Sequence, residues 1–326
     1  MTSDAGRPPV PYRRLGGTGL EISAIGFGCM TFGGRERWFG GVGDQEAEKL
    51  VKTALDRGVN FFDTADVYNI GQSEEMLAKA LGKRRKEAVI ATKVFCRMGQ
   101  GANSEGLSRQ HILDAADASL QRLKTDHIDL YQPHEWDENT PLEETLRAFE
   151  DLVRWGKVRY LGCSNFSGAQ AAQALDLAAA KGFTRFESNQ VQYSLLERGA
   201  EADQAAVIRD KGLSILAWSP LAGGYLTGKY KKGTAGPKGA RLTDEASRFP
   251  WFDAGRAAGV LTVLEKIAAA HRMTPAQAAL SWVLSKPWVA AAIIGVTSAA
   301  QLEENLAAAS RPLSQEALGY LDRLAP

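Results

Sequence analysis

Short apolar segments alternate with amphipathic segments eight times along this chain, and this alternation most limits the folds open to it. The apolar segments fall at residues 24–27, 61–63, 88–92, 128–132, 158–162, 186–190, 213–217 and 289–294. Each has the length of a strand and is apolar at successive positions, which is typical of parallel strands covered by helices. The residues between them repeat their apolar positions at helical spacing, as in 44–56 and 108–123. Eight strand–helix units predict an α/β fold, a (β/α)8 TIM barrel.

The two ends of the chain add a hairpin and further helices to this barrel. Residues 12–23 contain two half-apolar runs around Gly17-Thr18-Gly19, which predicts an N-terminal β-hairpin. Extra helices are expected around the last strand and after it. The sequence thus predicts one barrel domain over residues 12–326, preceded by a flexible, polar, proline-rich tail over residues 1–11. A doubly wound open sheet is the alternative, but residues 25–29 offer glycines without a helix directly after them.

Two helix starts carry capping signals. Asp44 stands where it could cap the helix of residues 44–56, because an aspartate side chain accepts hydrogen bonds from unpaired helical N–H groups. Thr140-Pro141-Leu142-Glu143 has the residue types of a capping box with proline at the first helical position.

Charge and cysteine usage limit the class of partner. The formal net charge is +1, so neither nucleic acid nor an anionic membrane is indicated as a partner. No apolar run reaches membrane-spanning length, and the first residues lack the apolar core of a signal peptide. The three cysteines, Cys29, Cys96 and Cys163, have neither metal nor redox spacing, which favours a reducing cytoplasm.

Titratable side chains follow three consecutive strands of the predicted barrel. Asp63 ends the second strand and Tyr68 follows in its loop, Lys93 ends the third strand, and His134 follows the fourth. Because parallel strands end on one rim of a barrel, these side chains are expected to converge. The ordinary interpretation of Asp63 alone is a capping residue in a polar turn.

This set of residue types suits proton delivery to a carbonyl oxygen. A buried ammonium favours the charged form of a neighbouring phenol, so Lys93 is expected to make Tyr68 a general acid. Asp63 would keep Lys93 protonated away from water, and His134 would donate a hydrogen bond to the substrate oxygen. The accompanying hydride has to come from a cofactor, since no side chain supplies one.

The strand ends also carry a family resemblance. The motifs are FFDTADVY at 61–68, ATK at 91–93, IDLYQPH at 128–134, GCSNFS at 162–167, NQVQYS at 189–194 and AWSPLAGG at 217–224. Over residues 12–324 the chain resembles the aldo-keto reductase superfamily, near its aryl-alcohol dehydrogenase-like and potassium-channel β-subunit branches. The resemblance implies a barrel closed at its bottom by the hairpin, and a catalytic tetrad of Asp63, Tyr68, Lys93 and His134.

The resemblance further implies a nicotinamide cofactor, NADPH or NADP+, extended across the mouth of the barrel, with NADH as the alternative. The implied contacts are Cys29, Met30 and Asp63 on the rim; Ser164, Asn165 and Gln190 at the carboxamide; Trp218 stacked on the nicotinamide ring; Ser219, Pro220, Leu221, Gly223, Lys229 and Arg241 along the pyrophosphate; and Gly295, Thr297, Gln301, Glu304 and Asn305 at the adenosine end. Trp218 has core packing as its plainer interpretation. A phosphate also suits the N-terminus of the last long helix.

One departure bears on the choice between NADP and NAD. Many family members carry lysine or arginine in the segment that here reads VTSAAQ at 296–301, where the cation pairs with the 2′-phosphate. This segment has none and resembles the channel β-subunit version, which uses polar residues. Lys229, Arg241 and the lysines between them could compensate, or could form a solvated basic loop.

The expected partner is a small carbonyl or alcohol substrate, and the direction of reaction and oligomeric state stay open. Phe32, Trp38, Phe95, Trp136 and Trp251 are candidate pocket walls, with packing beneath long loops as the equal alternative. Glu135, like Trp136, either shapes this pocket or faces solvent.

Two other functions remain as alternatives. One is a cofactor-binding regulatory subunit without turnover, although the channel β-subunits carry asparagine where this chain has His134. The other is a metal-dependent barrel hydrolase or isomerase, whose ligands would be His134, Asp63 and Glu187. The expected oxidoreductase needs no metal.

Overall fold

The structure is a computed structural model that describes residues 10–34, 41–230, 236–237, 241–243 and 253–324. Three features of the sequence interpretation therefore lie outside the described residues: most of the N-terminal tail, Trp38 and Trp251. The same holds for Lys231, Lys232, Lys238 and the side chain of Arg241.

Eight parallel strands close into a barrel, which confirms the predicted (β/α)8 fold and excludes an open sheet. The barrel strands are β3 (Ile25–Gly28), β4 (Phe61–Asp63), β5 (Val89–Val94), β6 (Ile128–Pro133), β7 (Val158–Ser164), β8 (Phe186–Gln192), β9 (Ser214–Trp218) and β10 (Val289–Ile294). Each pairs with its neighbour in chain order, and β10 pairs with β3 to complete the ring. The rim beyond the strand ends therefore carries loops that are far apart in sequence.

Helices cover the barrel on its outside. They are α1 (Asp44–Asp56), α2 (Gln72–Leu81), α3 (Arg109–Leu123), α4 (Leu142–Arg154), α5 (Gly168–Lys181), α6 (Ala200–Asp203), α7 (Ala205–Lys211), α8 (Ala254–Ala270), α9 (Pro275–Leu284), α10 (Ala299–Leu306) and α11 (Gln315–Arg323). Most boundaries fall within two residues of the predicted ones. Residues 200–211 form two helices, α6 and α7, divided at Gln204, whose side chain turns inward to bond the carbonyl of Phe166.

Both predicted helix caps are wrong. Gly43, not Asp44, is the N-cap of α1, and no side chain caps it. Asp44 is the first helical residue, and its carboxylate pairs with Lys79 of α2 instead. Thr140 bonds Asp137, and α4 begins with Pro141 as N-cap, so the capping box does not form. Asp44 is thus held by a neighbouring helix, whereas Thr140 is held by a residue of its own loop.

The N-terminal hairpin closes the bottom of the barrel, as predicted. It consists of β1 (Tyr12–Arg14) and β2 (Glu21–Ser23), paired antiparallel. Leu15 and Ile22 are fully buried and pack with Phe61, Leu216 and other apolar residues inside the barrel. The bottom half of the interior is thus an apolar plug.

The upper half of the barrel interior is polar. Asp63, Lys93, Gln132, Ser188 and Gln190 are all buried on strands of the ring. A separate, larger apolar cluster fills the space between the strands and the surrounding helices. Among the described residues, no helix is both long and apolar enough to cross a lipid bilayer. Buried polar groups at the carboxyl ends of the strands indicate that the active site lies at this end of the barrel.

Candidate active site

Lys93 is the centre of the polar group at the top of the barrel. Its ammonium nitrogen Nζ lies 2.9 and 2.7 Å from the two carboxylate oxygens of Asp63 and 2.8 Å from the carbonyl oxygen of Thr64. It also lies 3.4 Å from the hydroxyl oxygen of Tyr68. The lysine side chain is fully buried, so these four oxygens are its described surroundings in place of water.

The charge of Lys93 survives burial because of these oxygens. Desolvation alone would lower its pKa, since burial disfavours an ammonium. The charge of Asp63, followed by Tyr68 and the hydrogen bonds to both, acts the other way, and the net effect raises the pKa. Lys93 is therefore a permanent cation beneath the tyrosine at neutral pH.

Tyr68 differs in one respect from the sequence expectation. Burial raises the pKa of its phenol, and this effect exceeds the opposing pull of Lys93. The charge of Lys93 lowers the pKa of Tyr68, as expected, but burial of the ring among protein atoms outweighs it, so the pKa is raised overall. Tyr68 is therefore a fully protonated phenol at neutral pH, with its oxygen held next to a cation.

His134 stands on the other side of the same space. It directly follows β6, and its backbone N–H donates to the carbonyl of Val94, which ties the loop to the neighbouring strand. Its ring lies edge-on to Tyr68, with ring centres 5.8 Å apart. Burial, together with the charge of Lys93, lowers the pKa of His134 to about 3. The imidazole is therefore neutral, and within the described residues its Nδ1 has no hydrogen-bond partner.

The residues expected at the nicotinamide carboxamide lie together beside this group. Gln190 donates from Nε2 to Asp63 Oδ1 at 2.7 Å, and Ser164 donates to the backbone carbonyl of Gln190. Asn165 accepts from the indole N–H of Trp218 at 3.0 Å and donates to the carbonyl of His134. The ends of β7, β8 and β9 are thus joined by side chains to the Asp63–Lys93 pair.

Unusual backbone conformations concentrate on this rim. Seven described non-glycine residues have positive φ, and five of them lie in loops that follow barrel strands: Asn69, Ile70, Asn165, Ser219 and Ala222. The β-branched Ile70 is the most unfavourable of these, because its side chain crowds the left-handed backbone. Such strain is held in place only where the surrounding structure demands it, and it clusters at functional sites.

The loop after β9 is tightly turned. Ser219, Ala222, Gly223 and Gly224 all have left-handed backbones, and the N–H groups of residues 222–224 donate to Ser219 and Leu221 within the loop. Pro220 is buried, whereas Leu221 is half-buried. Lys229 lies beside this loop, with its ammonium over the ring of Tyr230.

The expected adenosine end lies at the start of α10. Thr297 donates from its backbone to Gln301 Oε1 at 2.9 Å, and Ser298 caps the helix. Gly295 and Thr297 are exposed, and Glu304 is half-buried. Asn305 is only 5% exposed.

The remaining candidate residues are less uniformly placed. Cys29 is fully buried, near enough to Asp63 for that charge to add to burial in raising the pKa of the thiol, and Met30 is half-buried. Phe32 is fully buried and packs against Phe27, so its ring supports the loop instead of lining an open wall. Phe95 and Trp136 are half-buried, and Trp136 meets Phe166 edge-on.

Comparison with known proteins agrees with this geometry. Residues 24–326 match the aldo/keto reductase family. This chain belongs to that family. The match covers all eight strands of the barrel.

Similar proteins include enzymes and channel subunits. The uncharacterised oxidoreductase YrpG of Bacillus subtilis is 38% identical over 97% of this chain and 96% of its own length. A putative voltage-gated potassium channel subunit beta of Schizosaccharomyces pombe is 35% identical over 97% of this chain and 90% of its own length. Versiconal hemiacetal acetate reductase of Aspergillus parasiticus is 34% identical over 95% of this chain and 96% of its own length.

The alternative metal site does not assemble in this aldo/keto reductase. Glu187, one of its three expected ligands, lies at the hairpin end of the barrel, where it accepts from the backbone of Gly17. His134 and Asp63 lie at the opposite end. Among the described residues there is no group of three or more side chains that could hold a metal ion.

Sequence interpretation missed three contacts of the site. The carbonyl of Thr64 binds Lys93, and no sequence signal marks a backbone group for this. Gln190 was expected at the cofactor but also fixes Asp63. Glu135 Oε1 accepts from Asn165 Nδ2 at 3.1 Å, which joins it to the site wall. The adjacency of Glu135 to His134 was its only signal.

Proposed function

We propose that this aldo/keto reductase reduces aldehyde or ketone carbonyls to alcohols, or catalyses the reverse, with Tyr68 as the general acid and NADPH as the preferred cofactor. The observation that carries the proposal is the ammonium of Lys93, which bridges the carboxylate of Asp63 and the hydroxyl of Tyr68. The phenol carries its proton before the reaction, and the cation against its oxygen stabilises the phenolate that remains after proton transfer. Such a phenol is suited to act as a general acid.

Lys93 supports the charged product of that release. When Tyr68 gives its proton to the substrate oxygen, the phenolate left behind faces the ammonium 3.4 Å away. The low-dielectric surroundings strengthen this attraction relative to water. Asp63 balances the cation before the transfer, so the resting site holds no uncompensated charge.

His134 acts through a neutral N–H. With a pKa near 3 the ring carries one proton at neutral pH and can donate it in a hydrogen bond to the carbonyl oxygen. A neutral donor polarises the carbonyl without competing with Tyr68 for proton transfer. Its edge-on position to Tyr68 supports the view that both face one substrate atom.

The residues present suit a nicotinamide dinucleotide, which when bound supplies the hydride for the carbonyl carbon. Ser164, Asn165 and Gln190 would hold its carboxamide, Trp218 would stack on the ring, and the loop of residues 219–224 with Lys229 would hold the pyrophosphate. Asn305, Gln301 and Thr297 would bind the adenosine end. The lack of a cation in 296–301 leaves NADH as the alternative.

A cytoplasmic location follows from the same interpretation. We propose it because Cys29, Cys96 and Cys163 are all free thiols, which suits a reducing compartment.

The test is a Tyr68→Phe variant measured with a panel of aromatic and aliphatic aldehydes. Loss of the hydroxyl should lower kcat by about 10²–10⁴-fold, the usual contribution of a general acid, because the ring stays but the proton is gone. Binding of NADPH, followed by quenching of tryptophan fluorescence, should be retained. The control is Tyr320→Phe, since Tyr320 is exposed on α11 and removed from the barrel mouth in sequence.

Two results would contradict the proposal. A Tyr68→Phe variant with wild-type turnover would remove Tyr68 from the acid role. A wild-type protein that binds NADPH but turns over no carbonyl would support the regulatory alternative, as the similarity to channel β-subunits would suggest.

A further inference from the structure

We infer that Glu135 is a specificity-determining residue that makes the mouth of the site select carbonyl substrates without a negative charge. Uncharged and cationic aldehydes or ketones would be accepted, and carbonyl compounds that carry a carboxylate would be disfavoured. The inference rests on the proposed function and adds the substrate class to it.

Glu135 is fixed to the wall of the site by a hydrogen bond. Its Oε1 accepts from Asn165 Nδ2 at 3.1 Å, and the same nitrogen donates to the carbonyl of His134 at 3.0 Å. The other end of the Asn165 amide accepts from Trp218. Asn165 has a left-handed backbone and is held by His134, Trp218 and, through its own N–H, the carbonyl of Gln190, so it is a rigid anchor for the carboxylate.

Glu135 is also the exposed charge at this mouth. The residue is exposed to solvent, and within the described residues no cation pairs with it. Lys93 is buried and neutralised by Asp63 at 2.7 Å. His134 is neutral. Of the titratable groups nearest the proposed donors, Lys93 and Asp63 neutralise each other and His134 is neutral, whereas Glu135 is an exposed carboxylate.

The field of Glu135 reaches the side of the site that contains Tyr68. Burial comes first among the causes that raise the pKa of the Cys96 thiol to about 12, and the charges of Asp66 and Glu135 add to it. Cys96 in turn is among the groups that act on Tyr68. Cys96 is thus within electrostatic reach of both Glu135 and Tyr68, so a charged substituent on a substrate at Tyr68 would be within reach of the carboxylate as well.

The expected size of the effect is moderate. Two like charges about 7 Å apart, in surroundings between protein and water, repel each other enough to change a rate constant about tenfold. An attraction of similar size would apply to a cation. Because Glu135 is exposed, salt should weaken both effects.

The experiment compares three aldehydes of similar shape: 4-carboxybenzaldehyde, its neutral methyl ester and 4-(trimethylammonio)benzaldehyde. kcat/KM is measured for each with the wild type, Glu135→Gln and Glu135→Lys. Glutamine keeps an oxygen that can accept from Asn165, so it removes the charge with little change in structure. The ratio of kcat/KM for the carboxylate over the ester should rise about tenfold in Glu135→Gln and further in Glu135→Lys. The ratio for the cation should fall.

A matched control separates this local effect from net charge. Glu138→Gln makes the same change of charge at an exposed residue of the same loop, and it should leave all ratios at the wild-type value. The KM for NADPH, measured with the ester, should be unchanged in Glu135→Gln. If Glu135 only held Asn165 in place, the substitution would instead disturb the cofactor contact of Asn165 and raise this KM.

The outcomes distinguish the two proposals. If the ester is reduced but the carboxylate-to-ester ratio is the same in all three proteins, the role of Glu135 is overturned while carbonyl reduction stands. If none of the aldehydes is reduced by the wild type, carbonyl reduction itself fails and the role of Glu135 falls with it.

Discussion

At the scale of single residues, the site depends on a lysine that stays charged without water. Removing an ammonium from water costs several kcal/mol, and this cost is recovered only through close, well-oriented oxygens. Lys93 has two carboxylate oxygens of Asp63 and the carbonyl of Thr64 within 2.9 Å. The phenol of Tyr68, 3.4 Å away, is the weakest of its four contacts and hence the one free to change.

Asp66, two residues before Tyr68, is a second buried acid, and unlike Asp63 it has no ammonium against its carboxylate within the described residues. It is fully buried, and within the described residues neither carboxylate oxygen makes a hydrogen bond of standard geometry. Burial, with the charge of Glu74 from α2 added, raises its pKa to about 8, and the backbone N–H of Val67 and the charges of Arg122 and Lys93 oppose this more weakly. Asp66 is therefore a neutral acid at pH 7, while Asp63 is held by a cation.

This difference predicts a fall in stability with rising pH. Unfolded aspartate has a pKa near 4, so between about pH 4 and pH 8 the folded state binds a proton that the unfolded state does not. The stability from this proton is complete below pH 4 and is lost as pH rises through 8. In Asp66→Asn that loss is absent, so its free energy of unfolding relative to wild type should improve by about 1–3 kcal/mol from pH 6 to pH 9. Urea unfolding at several pH values measures it.

An exposed acid provides the control for this prediction. Asp114→Asn makes the same substitution at an exposed position on the outer face of α3, so its difference from wild type should stay constant over this pH range. Parallel pH curves for wild type and Asp66→Asn would show that Asp66 does not carry a proton in the folded protein.

At the scale of elements, the loops that bear the site are supported by tight contacts on the outside of the barrel. α5 follows the Ser164-Asn165 loop, and its first residue, Gly168, lies against the end of α6. Gly168 N–H donates to Asp203 Oδ2 at 3.0 Å, and a Cβ built on Gly168 would lie 1.9 Å from the backbone carbonyl oxygen of Asp203. Only glycine allows this approach, because a backbone atom cannot move aside as a side chain can.

Gly168→Ala should therefore destabilise the protein by about 1–3 kcal/mol, as overpacking does. Gly259→Ala is the matched control: Gly259 lies in α8, and a Cβ there meets nothing within 4 Å. That substitution should stabilise by about 0.5–1 kcal/mol, since alanine is the better helix former. Thermal and urea unfolding compare the two. Equal effects of the same sign would show that α6 does not hold α5 in this way.

At the scale of the whole molecule, the barrel separates stability from chemistry. The hairpin fills the bottom with Leu15 and Ile22, while the polar residues lie at the top. Arg13 reinforces the closure by donating to the carbonyls of Val289 and Leu284. That residues 12–326 form a single domain remains a prediction, which the next variant also probes.

Leu15→Ala should cost about 2–5 kcal/mol of stability, because it leaves a cavity in a closed interior. The kcat for a neutral aldehyde should change by less than about twofold below the unfolding temperature, since distant sites act independently. Leu20→Ala, half-buried in the same hairpin, should cost less. A single cooperative transition in Leu15→Ala is expected if hairpin and barrel form one domain, and a separate early transition at the bottom would contradict that.

The sequence by itself determined the ring of eight strands, the closing hairpin and the family. These depend on local periodicity and on motifs that each occupy a few neighbouring residues, such as FFDTADVY at 61–68. It also brought Asp63, Tyr68, Lys93 and His134 to one rim, since strand ends of a parallel barrel meet by topology.

Only the tertiary structure decided the contacts and charges. The bond from Gln190 to Asp63 spans 127 residues, and the link from Trp218 to Asn165 spans 53. The protonation of Asp66, the raised pKa of Tyr68 and the neutral His134 all depend on burial, and Asp44 pairs with Lys79 of α2 instead of capping α1. Periodicity is a property of neighbours in sequence, whereas desolvation and hydrogen bonding depend on neighbours in space, which the closed barrel alone supplies.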